Sequence, residues 1–143
     1  MAANVKVMGP RGAELDMHLH GYCLMAANFF AKKLKIDRFK TDVTIRMHHK
    51  FVTNAEGVEG QIMPLSERAF VIDVCLYGNW LGTLAHEMVH MKQYLRDEID
   101  WGLTRWKGRS GYEDVDYWSQ PWEKEARRLQ NKMMVEFVEK DHP

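Results

Sequence analysis

The sequence predicts one α+β domain, a layer of strands covered by a layer of helices. Two patterns carry that prediction. Three short stretches set apolar residues at alternate positions, a fourth is bounded by a turn and a proline, and three longer ones repeat apolar residues every three or four positions. Their order is strand, helix, three strands, helix, a long connection and a last helix, which segregates the two kinds of element. The 143 residues, 45% of them hydrophobic, are enough for a single buried core.

The first stretch, Asn4 to Met8, sets Val5 and Val7 about Lys6 as a short strand, and Pro10 and Gly12 break the chain after it. From Glu14 to Lys35, residues Leu15, Leu19, Tyr22, Ala26, Phe29 and Phe30 recur at helical spacing, with Glu14 and Asp16 in the first turn. Asp42 to His49 alternates again, Val43, Ile45 and Met47 on one face and Thr44, Arg46 and His48 on the other. A turn at Asn54 to Gly57 leads into a third strand, Val58 to Met63, which Pro64 ends. LSER turns the chain once more. Arg68 to Leu76 then places Phe70, Ile72, Val74 and Leu76 on one face.

Trp80 opens the second helix, and after Asp97 the periodicity lapses. Trp101 to Tyr117 holds three glycines and several aromatics without a clean pattern. A connection of that length is more often functional than idle, and here it is expected to restrain the site, so that deleting it raises turnover. The last helix begins in SQPWEKEA, with Ser119 as the cap candidate and Pro121 in the first turn. Ala126, Leu129, Met133 and Phe137 form its buried stripe.

Composition narrows the function. Twenty basic residues balance twenty acidic ones, so the charge points to neither nucleic acid nor an anionic membrane. No stretch has the apolar length of a membrane span, and the N-terminal MAANVKVMGPRG lacks the core of a signal peptide. Cys23 and Cys75 are too few for a disulfide framework and sit in apolar surroundings. The expectation is a soluble, cytoplasmic protein.

Its chemistry is concentrated in LGTLAHEMVHMKQYL. On a helix, His86 and His90 stand one turn apart on one side and can converge on an ion, with Glu87 offset between them. Zinc takes imidazole nitrogen readily, and a catalytic site needs three protein ligands and an open position. A carboxylate beside the metal can then take a proton from water. A chain with seven histidines of 143 would show H-E-x-x-H by chance roughly 0.03 times.

The third ligand is sought among Glu113, Asp114, Asp116, Glu123, Glu125 and His142. Glu123 is the choice, because a carboxylate on a second rigid helix is held at a fixed distance from the first. Glu125 is read as a partner of the helix dipole. Donors for a developing oxyanion are Tyr112, Tyr117, Arg105 and Arg127. Tyr117 ranks first, since YWSQPWE places it just before the ligand helix, with an ordinary packed tyrosine as the competing reading. His18, His20, His48 and His49 are read as surface or edge positions. Trp101, Trp106, Trp118 and Trp122 either cover the cleft or form a satellite cluster under the loop.

HEMVH together with the glutamate of PWEKEA resembles the gluzincin branch of the zincin metallopeptidases, and is similar to the short stand-alone zincin-like proteins of bacteriophage genomes. The resemblance covers the strands before the active helix, that helix, and the helix from Pro121 onwards. It implies a small mixed sheet packed on a long N-terminal helix, the HExxH helix and a C-terminal helix. It further implies hydrolysis of a peptide or protein substrate, zinc on His86, His90 and Glu123, Glu87 as general base, and the host cytoplasm as the setting of a virus-encoded chain. Arg68 to Leu76 would form the cleft edge and take an extended substrate by strand addition. One departure stands out: where several gluzincins orient a zinc histidine with an acid one turn after the ligand glutamate, this chain has Arg127. That leaves Asp114, Asp116 or a backbone carbonyl to do it.

Two alternatives accompany this reading. A SprT-like protease also carries HExxH but uses a third histidine, for which only His142 lies downstream. A non-hydrolytic zinc-binding domain would use the cleft to hold a protein partner, although such a site has no need of Glu87.

Overall fold

The four short stretches become a four-stranded sheet in the computed structural model, which describes residues 3–9, 17–49, 59–76 and 78–141. The strands are β1 (Ala3–Met8), β2 (Thr41–His48), β3 (Gly60–Ser66) and β4 (Ala69–Cys75). The helices are α1 (Met17–Lys33), α2 (Trp80–Leu95) and α3 (Pro121–Asp141). Across the sheet the order is β1-β2-β4-β3, with β1, β2 and β4 parallel and β3 antiparallel to β4. Over the described residues the chain is therefore a small α+β fold with a mixed sheet and three α-helices. Glu14, Asp16, the Asn54–Gly57 turn and Val58 lie outside the described residues.

Each connection follows from strand direction. Parallel β1 and β2 need a crossover, which α1 provides, whereas antiparallel β3 and β4 are joined by the tight turn at Glu67 and Arg68. Pro64 does not end β3, which runs on to Ser66 with a register shift between Pro64 and Ser66. The reason lies in the edge. The Glu59 carbonyl accepts from the Cys75 N–H at 2.7 Å, so Gly60, Ile62 and Pro64 alternate to face away from β4. A missing N–H at Pro64 costs no ladder bond there.

Val43, Ile45 and Met47 of β2 and Phe70, Ile72 and Val74 of β4 are buried against the helices. Phe137 of α3 meets Tyr22, Phe29 and Phe30 of α1 with ring centroids 5.3–5.8 Å apart. Side chains of this size contribute about 1.5–3 kcal/mol each when fully buried. The stripe expected on α3 is observed, with Ala126, Met133 and Phe137 buried and Leu129 packed beside them.

On the other face of the sheet, Asp73 is 1% exposed and draws three strands together. It accepts from Arg46 Nε and Nη2 at 2.7 and 3.0 Å, pairs with His48 Nε2 at 2.8 Å, and accepts from Gln61 Nε2 at 3.1 Å. Cys23 and Cys75 are buried and free, and burial pushes the Cys23 thiol up to about 12. Among the described residues, no helix is long and apolar enough to cross a membrane.

Candidate metal centre

Helix α2 starts where Asn79 Oδ1 accepts from the Gly82 N–H at 3.1 Å. It stops where Asp97 takes a left-handed φ of 56° and the Glu98 N–H bonds back to the Gln93 carbonyl. Between these ends Leu84, Ala85, Met88, Val89 and Met91 are buried. His86, Glu87 and His90 face a cleft of about 680 Å³. Helix α3 enters from the opposite wall. Ser119 is not its cap: it lies in a short 3-10 turn, Tyr117–Ser119, and the Gln120 carbonyl takes the N–H groups of Glu123 and Lys124. Pro121, which has no N–H to satisfy, stands at the first helical position and brings Glu123 over the histidines.

The donor atoms converge. His86 Nε2 and His90 Nε2 are 3.2 Å apart, Glu123 Oε1 is 3.0 Å from His86 Nε2, and Glu123 Oε2 is 3.1 Å from His90 Nε2. A tetrahedral zinc with bonds of about 2.0–2.1 Å puts its ligand atoms roughly 3.3 Å apart, which these separations approach. The protonation pattern agrees. His86 Nδ1 lies 2.8 Å from Gln130 Oε1, and His90 Nδ1 lies 2.8 Å from Gln93 Oε1. Amide oxygens only accept, so each Nδ1 carries a hydrogen, and Nε2 is the ring atom left to face the common point. Two imidazole nitrogens and a carboxylate meeting in one place fit a divalent cation, which would take the place of a proton there.

Burial disfavours a charge on His90, yet its bond to Glu123 and the charges of Glu87 and Glu123 raise its pKa to about 9. Burial works against the Glu123 carboxylate too, and the two histidines nonetheless hold it well below the usual range. Glu87 is 7% exposed, and burial raises its pKa despite the two neighbouring imidazoles. Of the four oxyanion candidates, Tyr117 lines the cleft, its hydroxyl donating to Glu123 Oε1 at 3.1 Å. Burial and the Glu123 charge push that hydroxyl up to about 12. Arg127 stacks on Trp118 and donates to its carbonyl, Tyr112 packs edge-on against Trp122, and the Arg105 N–H bonds to Asp100.

The alternative third ligands lie elsewhere. Glu113, Asp114 and Asp116 are exposed, Glu125 pairs with Lys92 and Gln93, and His142 is outside the described residues. The groups orienting the histidines are glutamines, not the acids or carbonyl expected from the sequence. A signal was present: Gln93 follows His90 by three residues on the buried side of α2, and Gln130 follows Glu123 by seven, two turns along one face.

The cleft edge also differs from expectation. Both sides of β4 are paired, so the strand bordering the cleft is β3, through Gly60 and Ile62. A Cβ on Gly60 would come within 2.3 Å of Thr83 Cγ2 and 3.4 Å of Glu87 Oε2, so glycine is what lets α2 approach this edge. The long loop is built into the site. Ile99 and Leu103 wall the cleft, and Trp106 and Tyr112 pack on the fully buried Trp122 beside Glu123, which argues against a removable cover. Trp101 and Trp118 are exposed. The chain matches no protein-family model, and comparison with curated proteins and with solved structures finds no significant match.

Proposed function

We propose that this chain is a zinc-dependent metallopeptidase, of the gluzincin kind that its HEMVH and PWEKEA segments resemble. One observation carries the reading: the donor atoms of His86, His90 and Glu123 all lie within 4.8 Å of one another at a cleft, with buried Glu87 beside them and outside the ligand set. Zinc bound there supplies Lewis acidity, which lowers the pKa of water from about 16 to about 7 and polarises a carbonyl. Glu87 takes a proton from the attacking water at a carboxylate oxygen and passes it to the leaving amine, a task suited to a carboxylate whose pKa burial has raised. Tyr117, protonated at neutral pH, would turn its single O–H from Glu123 to the oxygen on which negative charge develops.

The substrate is an extended polypeptide. Among the described residues β3 is an edge strand, and its outer side offers the N–H groups of Gly60 and Ile62 to an added strand. A second hollow of about 430 Å³ shares Tyr94 and Ile99 with the first and continues the cleft to the β3–β4 turn. Buried free thiols suit the reducing cytoplasm.

Zinc content and turnover of a quenched-fluorescence peptide library test this reading. Glu87→Gln is expected to keep zinc and lose turnover by at least about 10²-fold. Glu123→Ala binds zinc more weakly, and Tyr117→Phe keeps zinc while kcat falls about 10²-fold. Turnover surviving Glu87→Gln contradicts the mechanism, and unchanged zinc affinity in Glu123→Ala reassigns the third ligand. A zinc-loaded wild type that cleaves no peptide favours the non-hydrolytic reading instead.

A further inference from the structure

Gln93 is fully buried, so each end of its amide must find a partner. Its Nε2 donates to the Trp122 carbonyl at 3.0 Å and to Glu125 Oε1 at 3.0 Å. Both partners are pure acceptors, which fixes the amide orientation and turns Oε1 towards His90 Nδ1, 2.8 Å away. Trp122 precedes Glu123 directly and Glu125 follows it by two residues. One side chain thus orients the histidine ligand of α2 and grips α3 on both sides of its ligand glutamate. Glu125 is held in turn by Lys92 at 2.8 Å, and Lys92 by Glu98 at 2.7 Å.

We infer that Gln93 is a positioning residue that sets the separation of His90 and Glu123, so that the two-helix ligand set forms before an ion arrives. The inference rests on the metal reading above. Only an amide answers all three partners, since the position needs one acceptor for His90 and two donors for Trp122 and Glu125. A carboxylate would satisfy His90 but oppose Glu125 in a buried site. A thioether or hydrocarbon would leave the His90 N–H and two acceptors unpaired.

The test measures zinc affinity by chelator competition and the visible spectrum of the cobalt-substituted chain. The variants are Gln93→Met, Gln93→Glu, and the swapped pair Gln93→Glu with Glu125→Gln. Gln93→Met is expected to weaken zinc binding by about 10–100-fold and to alter the cobalt spectrum. Gln93→Glu weakens it comparably, and the swapped pair, which restores a donor facing an acceptor at position 125 but not at the Trp122 carbonyl, recovers part of the loss. That recovery remains decisive if Gln93→Met fails to fold. Wild-type affinity and spectrum in Gln93→Met overturn the inference, as does a swapped pair no better than Gln93→Glu. A wild type that takes up no zinc overturns it together with the metal reading. A wild type that binds zinc but cleaves nothing removes the peptidase reading alone.

Discussion

At the scale of single residues, Asp73 shows how a charge can be buried and still stabilise. Arg46, His48 and Gln61 surround it, and although burial opposes its charge, those bonds hold its pKa below the ordinary 3.8. A carboxyl whose folded pKa is depressed stabilises the fold fully above its unfolded pKa and loses that contribution as pH falls through the folded value. Asp73→Asn is therefore expected to lower stability by about 2 kcal/mol at neutral pH, a modest figure because Arg46 is partly exposed. Below about pH 4 the gap to the wild type should narrow. Denaturant melts across pH check this, and a gap that is constant down to pH 2 contradicts it. His86, Glu87 and His90 were legible because a helix converts their spacing directly into a shared side. Glu123 was legible because a proline-led helix start announces itself. The pairing of His86 with Gln130 was harder to see, because it joins two helices across 44 residues and leaves no local pattern.

The elements divide along the same line. Alternation and helical spacing located β1, β2, β4 and the three α-helices, the bounding turn located β3, and the 3-10 turn at Tyr117–Ser119 was missed; the order in which strands pair depends on contacts no single stretch contains. The β4 strand carried a clue in VIDVC, whose last four residues are buried on both faces as a central strand requires. The resemblance made this strand the cleft edge, a place that β3 occupies. The spacing of β3 from α2 hangs on Gly60, where an added methyl group meets Thr83. Gly60→Ala is expected to destabilise the fold by about 1–3 kcal/mol. Adding Thr83→Ala should recover much of that loss by removing the methyl it strikes. Thermal or denaturant melts of the two variants decide the point, and a pair no more stable than Gly60→Ala shows that the approach of β3 to α2 is not set there.

For the whole molecule, the sheet and α1 form a rigid base from which α2 and α3 project their ligands towards one another. Histidines come from one helix and the carboxylate from the other, so a bound ion would tie the two and stabilise the folded chain in proportion to its affinity. The central claim is that these side chains form one cation site with a vacant corner for water and substrate. X-ray absorption at the zinc edge of the stoichiometrically loaded chain tests it most directly. One ion per chain is expected, with nitrogen and oxygen neighbours at about 2.0–2.1 Å and the outer-shell signature of two imidazoles. A chain that retains no zinc, a sulfur neighbour at about 2.3 Å, or a shell lacking paired imidazoles would contradict it.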